Sequence, residues 1–259
     1  MTPDIPTYIL HYTKNTQRRL FQEHILALEG FTNVTWITDF DRETITYDMF
    51  LEHFSAHVME YMKRRPTAFD PFYPLRGEEI SLCMKHKAAL SLFWQTSATC
   101  CLILEDDVVI QKDFKNQLIE HMVSLPQDWK LAFPGDCNMR IETHLLKPNQ
   151  AWYLNPVGKA KCSDSILWNR SSAREILQGW ANHKICMPSD HEISFWMRVL
   201  NWPTYWLEPP ICVQGSHIGL FESMQLPHGK YYNPDLKYRE DLTEILQKLD
   251  IATHINRPL

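Results

Sequence analysis

The chain has 259 residues, 44% of them hydrophobic, and a formal net charge of -5 at pH 7. This length and this hydrophobic content are sufficient for one large α/β domain or two small ones with a full core. The acidic balance argues against a protein that binds nucleic acid through a broad basic surface, so nucleic acid is not an expected partner.

The seven cysteines show neither zinc-type C-x-x-C pairs nor regular disulfide spacing. The first ten residues contain no basic leader and no apolar signal segment, and no later run approaches membrane-spanning length. We therefore expect reduced thiols and a soluble, cytoplasmic protein without a membrane span.

The first predicted unit is a strand over residues 7–11, a basic turn and a helix. Such a turn lies at the carboxyl edge of a parallel sheet, where backbone amides accept phosphate. Tyr12, Thr13, Arg18 and Arg19 are therefore candidates for binding a nucleotide cofactor or donor. The alternative for the arginines is a solvated basic helix start.

A second strand over residues 33–38 ends at Asp39, whose carboxylate is placed either to hydrogen-bond a ribose or to cap the strand. Residues 44–76 begin as a helix and then break up at three prolines, which suggests an insertion or lid. In the helix predicted over residues 78–94, Lys85, His86 and Lys87 crowd one polar turn. This turn faces either a metal-bound diphosphate or solvent.

The most informative stretch is the apolar run of residues 100–104 followed directly by Glu105, Asp106 and Asp107. The run predicts a strand buried on both faces. Adjacent carboxylates repel one another, and a divalent metal with oxygen ligands is the simplest compensating cation. The alternative is a solvated acidic turn at the end of the strand.

Helices and strands continue to alternate in the second half of the chain, which favours a mostly parallel sheet flanked by helices. Residues 188–192 predict a helix N-terminus, where the carboxylate of Asp190 acts either as a cap or as a base. His217 lies between two glycines, which allow the backbone to approach a ligand. Neither a P-loop nor a dinucleotide-binding glycine fingerprint occurs, so a metal-chelating carboxylate loop remains for holding phosphate.

Taken in order, these motifs resemble glycosyltransferase family 25, the lipopolysaccharide and collagen galactosyltransferase-like group, together with viral glycan-building relatives. The resemblance spans about residues 5–225 and rests on Asn15-x-x-Arg18-Arg19, the Glu79–His86–Leu90 spacing, L-I-L-E-D-D-V at 102–108, P-S-D-H-E at 188–192 and V-Q-x-S at 213–216. Ser81, Leu82 and Lys85 depart from the family pattern, which puts the sugar donor in doubt more than the fold.

The resemblance implies one GT-A domain of Rossmann-like α/β type over residues 1–259. Its nucleotide-sugar-binding half would cover 5–110, its acceptor-binding half 111–225 and a C-terminal extension 226–259. It also implies that Asp107 binds Mn²⁺ or Mg²⁺, with Glu105 on the ribose or on the waters of the metal and His217 as an imidazole ligand. Asp106 would make a water-mediated contact or be structural.

The family is inverting, so the resemblance implies a metal-dependent transfer of a sugar, from a UDP-sugar or a similar donor, to a hydroxyl of a glycan acceptor. Asp190 is the candidate base, with Glu192 second, while nearby lysines and arginines would stabilise the leaving diphosphate. Two alternatives remain open. One is a nucleotidyltransferase on a related sheet, and the other is a non-catalytic carbohydrate-binding protein, which would explain nine tryptophans and ten tyrosines.

Overall fold

The computed structural model describes residues 4–55, 75–136, 143–155, 158, 160, 162–222 and 239–251. The strands are β1 Thr7–Leu10, β2 Val34–Ile37, β3 Cys100–Glu105, β4 Val108–Ile110, β5 Leu131–Phe133, β6 Trp152–Leu154, β7 Ser165–Asn169, β8 Thr204–Leu207 and β9 Cys212–Gln214. The helices are α1 Thr16–Leu28, α2 Tyr47–His53, α3 Gly77–Gln95, α4 Phe114–Val123, α5 Arg170–His183, α6 Ser189–Val199 and α7 Leu242–Lys248, with a 3-10 turn at Thr143–Leu145.

Seven strands form one sheet in the order β2-β1-β3-β7-β5-β8-β6. β1 is parallel to β2 and β3, and β5 is parallel to β8, whereas β7 and β6 run antiparallel to their neighbours. Five of the seven strands therefore point in one direction. The predicted α/β fold with a mostly parallel central sheet is confirmed.

The central strand β3 is buried on both faces, as its apolar run predicted. Because successive side chains of a strand point to opposite faces, Cys101 and Ile103 join one core cluster, and Leu102 and Leu104 join the other. The first cluster packs against α3, α5 and α6, and the second against α1, α4 and α7. The sheet is thus the middle of three layers.

Of the two readings of the basic segment, a loop or a helix start, the structure has the helix start: α1 begins at Thr16 and includes Arg18 and Arg19. After Glu105, the chain turns and forms β4, which pairs with β9 in a separate two-stranded sheet. This second sheet brings the segment after β9 against the acidic end of β3.

The expected helix in residues 44–76 is present as α2, while the predicted insertion or lid falls mostly on residues 56–74, outside the described residues. Of the predicted C-terminal extension, residues 239–251 are described, and buried Arg239 fixes them to Glu29 at the end of α1 through a 2.7 Å ion pair. No described helix is long and apolar enough to cross a membrane.

Candidate active site

A pocket of about 130 Å³, partly open to solvent, lies at the carboxyl ends of β1 and β3. It is lined by residues from five separate chain segments: Leu10, Tyr12, Asn15, Arg18, Arg42, Glu78, Ser81, Leu82, Lys85, Glu105, Asp106, Asp107, Gln214, Ser216 and His217. The whole acidic triplet at the end of β3 therefore lines the same space as three cationic side chains and an imidazole. Open α/β sheets bind ligands at this edge.

Asp106 is held by the chain's own hydrogen-bond donors. Its Oδ2 accepts hydrogen bonds from His11 Nδ1 at 2.8 Å and from the backbone N–H of Tyr12 at 3.2 Å, and its Oδ1 accepts one from Arg18 Nη1 at 2.8 Å. Burial alone would raise the pKa of Asp106, but the bonds from His11 and Arg18 lower it. Asp106 is therefore an ionised structural anchor that joins β1, α1 and β3.

Asp107 is buried but only partly satisfied. Its Oδ2 accepts a 3.3 Å hydrogen bond from the backbone N–H of Ser216 and lies 3.7 Å from Arg18 Nη1. Its Oδ1 is also buried and has no hydrogen-bond partner among the described residues. Most buried carboxylate oxygens in proteins have a hydrogen-bond partner. An oxygen that lacks one is therefore a candidate for binding a ligand.

The segment after β9 closes over Asp107 because position 215 is a glycine. The backbone N–H of Gly215 donates a 2.7 Å hydrogen bond to the carbonyl of Asp107, and a Cβ on Gly215 would lie 2.5 Å from that oxygen. Only glycine permits this approach. It places Ser216 and His217 in the pocket wall, as the glycines around the predicted histidine suggested.

Glu105 accepts hydrogen bonds from Ser163 Oγ at 3.1 Å and from Gln214 Nε2 at 3.4 Å. Desolvation raises its pKa well above the ordinary range, and the neighbouring carboxylates of Asp107 and Asp164 raise it further. The acidic end of β3 thus carries more carboxylate than the nearby cation Arg18 can compensate.

Two further carboxylates that the sequence did not single out lie beside this triplet. Burial raises the pKa of Asp164 to about 7, Asp107 and Asp136 contribute to the rise, and its Oδ1 has no hydrogen-bond partner in the described part of the chain. Asp164 precedes β7, which runs antiparallel to β3, so the start of β7 lies at the same edge as the end of β3. The strand direction brings Asp164 here, and no local motif indicates it.

Lys85 lines the same pocket, and its ammonium group forms three hydrogen bonds. Its Nζ donates hydrogen bonds to Asp41 Oδ1 at 2.8 Å, to the carbonyl of His11 at 2.8 Å and to the carbonyl of Asp39 at 2.7 Å. Thr13 donates both its backbone N–H and its hydroxyl to Asp41 Oδ2. Burial raises the pKa of Asp41, but the hydrogen bonds from Lys85 and Thr13 lower it by more, so the pKa lies below its ordinary value.

The carboxylate that organises the loop after β2 is therefore Asp41, which the sequence reasoning missed, and not Asp39, which is exposed and contributes its carbonyl oxygen. Thr13 is a support for Asp41 and does not line the pocket. Contact of Thr13 and Asp39 with a nucleotide stays a prediction.

The predicted cationic turn of α3 is split by the helix. Successive residues of a helix point about 100° apart, so three neighbours cannot face one site. Lys85 lines the pocket, whereas His86 is fully buried, with a pKa lowered to about 3 by desolvation. Lys87 Nζ lies 3.1 Å from His53 Nδ1, outside the pocket lining. The burial of His86 contradicts its contact with a diphosphate in this pocket, whereas such a contact of Lys87 stays a prediction.

Arg19 is also turned away from the pocket. Its guanidinium stacks over Trp36, 3.5 Å from the ring centroid, and its Nε forms a 2.5 Å ion pair with Glu23. Arg18, one residue earlier, points inward instead, and α1 thus places only one of the two arginines at the site.

The two candidate bases lie on the first turn of α6, outside the pocket lining. Glu192 accepts hydrogen bonds from Trp180 Nε1 at 3.2 Å and Trp196 Nε1 at 3.1 Å. The backbone N–H groups of Cys186 and Met187 also donate to it, both at 3.2 Å. These bonds make Glu192 a buried connector of α5 and α6, and its candidacy as a base is not supported.

Asp190 differs from Glu192 because its side chain accepts one local bond, from the backbone N–H of His191 at 2.9 Å. Desolvation raises the pKa of Asp190, while His191 lowers it in part. A carboxylate with a raised pKa is a stronger proton acceptor than an ordinary one.

The rim of the pocket contains a charged network that no sequence pattern indicated. Tyr12 Oη and Lys14 Nζ donate to Glu43 Oε1 at 2.5 and 2.9 Å, and Arg42 contacts both Glu43 and Glu78. The guanidinium of Arg42 lies 5.2 Å from the centroid of the Tyr12 ring. These contacts fix the orientation of Tyr12 at the mouth of the pocket.

No family model and no curated protein matches the chain, so membership of glycosyltransferase family 25 stays a prediction. Among solved structures, the chain is similar to a glycosyltransferase involved in glycosylation of the major capsid of PBCV-1, with 11% identity over 96% of this chain and 100% of that one and a TM-score of 0.44. It is also similar to the galactosyltransferase LgtC (10% identity, 73% and 69% coverage, TM-score 0.35) and to mouse xyloside xylosyltransferase 1 (11%, 77% and 84%, TM-score 0.34). At these identities and TM-scores, the similarities do not assign a function to this chain.

Proposed function

We propose that the protein is a metal-dependent, inverting glycosyltransferase that moves a sugar from a nucleoside diphosphate sugar, with a UDP-sugar as the first candidate, to a hydroxyl of a glycan. The observation that carries the proposal is the buried Oδ1 of Asp107, which has no hydrogen-bond partner among the described residues, in a pocket shared with Glu105, Arg18 and Lys85. Acidic and basic groups in one pocket are suited to a ligand that combines a cation with phosphates.

The residues fit a hard divalent cation with few protein ligands. Among the described residues, no three His, Cys, Asp or Glu side chains are arranged as a ready-made metal site. Mg²⁺ and similar cations are often held by one or two carboxylates together with substrate phosphates and water. Asp107 would supply the principal ligand, with Glu105 and His217 as the neighbouring candidates, and the cation would polarise the diphosphate as it leaves.

The cations of the pocket have a second role in the proposal. Arg18 is buried beside Asp106 and Asp107, and Lys85 is held by Asp41, so both positive charges are preorganised and need little rearrangement when a diphosphate binds. Tyr12, fixed at the rim, would contact the nucleoside end of the donor. The resulting order across the pocket is nucleoside at the rim and phosphates at the acidic end of β3.

The acceptor hydroxyl requires a base on the opposite side of the sugar. Asp190 is the candidate because the start of α6 adjoins the acidic end of β3 through Ser189 and Ser163, and because burial raises its pKa. The carboxylate would accept the hydroxyl proton while the oxygen attacks the anomeric carbon. A single displacement of this kind inverts the configuration and needs no covalent enzyme intermediate.

The test is a panel of nucleotide sugars measured by calorimetry and by slow release of the nucleoside diphosphate, each with and without Mn²⁺. We expect one donor to bind and hydrolyse only when Mn²⁺ is present. The matched variants are Asp107→Asn, which should lose this response, and Asp113→Asn, an exposed carboxylate that should keep it.

Two results would overturn the proposal. Binding of no donor under any condition would favour a non-catalytic protein. Formation of pyrophosphate from a nucleoside triphosphate and a sugar phosphate would instead identify a nucleotidyltransferase, since that reaction cleaves between phosphates.

A further inference from the structure

The start of α6 is joined to the acidic end of β3 by two serines. Ser163 Oγ donates a 3.1 Å hydrogen bond to Glu105 Oε1 and lies 2.9 Å from Ser189 Oγ. Ser189 is the first residue of α6 and directly precedes Asp190. We call Glu105–Ser163–Ser189 the serine link.

A second contact fixes the same helical turn from the other side. Ser194 Oγ donates a 2.6 Å hydrogen bond to the carbonyl of Asp190 and accepts a 2.7 Å bond from the backbone N–H of Ala160. Residues on both sides of Asp190 are thus attached to the segment that leads into β7. That segment also pairs with β3, since the backbone N–H of Glu105 donates a 2.7 Å bond to the carbonyl of Asp164.

The serine hydroxyls are buried: Ser163, Ser189 and Ser194 are 5%, 6% and 7% exposed. Hydrogen bonds that are shielded from water are costly to break, because the remaining partner cannot rebind to solvent. Removal of one hydroxyl therefore takes one hydrogen bond from Glu105 or from the helix start, and the relative position of the two elements is less firmly fixed.

We propose that Ser163 and Ser189 are positioning residues that hold Asp190, on the acceptor side, at a fixed distance from Glu105 on the donor side. This inference rests on the proposed glycosyl transfer with Asp190 as base. A base displaced by about 1 Å can lower the rate of a reaction by up to about a hundredfold. We therefore expect the serine link to affect the rate of sugar transfer and not the affinity for the donor.

The experiment compares Ser163→Ala, Ser189→Ala, the double variant and the hydroxyl-retaining Ser189→Thr in the full chain. The control is Ser172→Ala, another buried serine, whose hydroxyl donates to the carbonyls of Lys130 and Asn169 on the far side of β7. For each variant we would measure the kcat of transfer, the KM and Kd of the donor with Mn²⁺, and the melting temperature.

We expect kcat to fall about tenfold in Ser163→Ala and in Ser189→Ala, with the Kd of the donor unchanged within about twofold. The double variant should be no slower than the slower single variant, because both substitutions break the same link. Ser189→Thr should retain most of the rate, and Ser172→Ala should lose stability without loss of kcat.

The inference is overturned if the single variants transfer at the rate of the unaltered chain, if their losses multiply in the double variant, or if Ser172→Ala slows transfer as much as they do. These outcomes leave the proposed function intact, because the unaltered chain still transfers sugar. Absence of donor binding and transfer in the unaltered chain would overturn the proposed function itself and this inference with it. If an alanine variant does not fold, Ser189→Thr and the other single variant decide the question.

Discussion

Arg18 Nη1 lies 2.8 Å from Asp106 Oδ1, in an ion pair between α1 and the acidic end of β3 that is almost completely removed from solvent. The same guanidinium donates to the carbonyl of Glu222, after β9. One side chain thus ties together the three segments that form the acidic end of the pocket, and its loss would affect all of them.

Arg18→Met should destabilise the fold by about 3 kcal/mol or more, because it leaves a buried carboxylate without its cation. The measurement is urea denaturation followed by tryptophan fluorescence. Arg19→Met is the matched control on the next residue and should cost about 1 kcal/mol or less, since its ion pair with Glu23 is partly exposed. Equal losses in the two variants would contradict the assignment of Arg18 as an anchor.

Asp107→Asn should weaken Mn²⁺-dependent donor binding at least about tenfold with little change in the melting temperature, because the amide preserves the shape but not the charge. Calorimetry with the best donor of the panel, with and without Mn²⁺, measures this. Asp106→Asn should show the reverse pattern, a lower melting temperature, because Asp106 pairs with Arg18 and His11. Unchanged donor affinity in Asp107→Asn would exclude Asp107 as a metal ligand.

Asp190→Asn and Glu192→Gln should separate catalysis from folding. Asp190→Asn is expected to bind the donor normally and to lower kcat by at least about a hundredfold, because it removes the base. Glu192→Gln is expected to lower the stability by about 2 kcal/mol, because the single amide oxygen can accept from the two tryptophans or from the two backbone N–H groups, but not from both pairs. Its kcat per folded molecule should stay near that of the unaltered chain. Loss of kcat in Glu192→Gln together with loss of stability in Asp190→Asn would instead identify Glu192 as the base and Asp190 as the structural residue.

Lys85→Met should destabilise the protein by about 3 kcal/mol and weaken donor binding, since it leaves Asp41 and two carbonyls without their common donor. Lys87→Met, two residues further along α3, is the control and should change the free energy of unfolding by about 1 kcal/mol or less. Thermal denaturation and donor titration measure the two effects. A larger effect at Lys87 would show that the polar turn of α3 faces the site in the other orientation.

Asp164→Asn should stabilise the protein more at pH 8 than at pH 5. Burial raises the pKa of this carboxyl from 3.8 to about 7, so ionisation favours the unfolded chain, and the stability is lost as the pH rises through about 7. The gain in the free energy of unfolding should be about 2 kcal/mol larger at pH 8 than at pH 5. Urea denaturation in metal-free buffer at both pH values measures this difference. A gain that does not depend on pH would show that Asp164 is not protonated in the fold.

Several parts of the fold could be predicted because their signals are local. The apolar run before Glu105 indicated a strand buried on both faces, and β3 is buried in this way. The polar residues at 188–192 indicated a helix start, and α6 begins at Ser189. Neither conclusion needed knowledge of which strands are neighbours.

The predictions that failed concern residues whose positions depend on the direction of a strand or on rotation about a helix axis. Lys85, His86 and Lys87 are consecutive in the chain, but successive side chains of a helix point about 100° apart. Lys85 therefore pairs with Asp41, His86 is buried in the protein interior, and Lys87 lies beside His53. Asp41 and Asp164 lie close to the site, but no motif in the surrounding sequence distinguishes them from other aspartates. Their importance follows from partners that are distant in the chain.

The sequence by itself determined that a buried strand ends in three carboxylates, because an apolar run followed by acidic residues is a local pattern. The tertiary structure alone decided the division of roles within the acidic triplet. Asp106 is neutralised by His11 and Arg18, about 90 residues earlier, while Asp107 keeps an oxygen without a partner in the described part of the chain. Two adjacent aspartates differ because the fold brings hydrogen-bond donors to both oxygens of one and to a single oxygen of the other among the described residues.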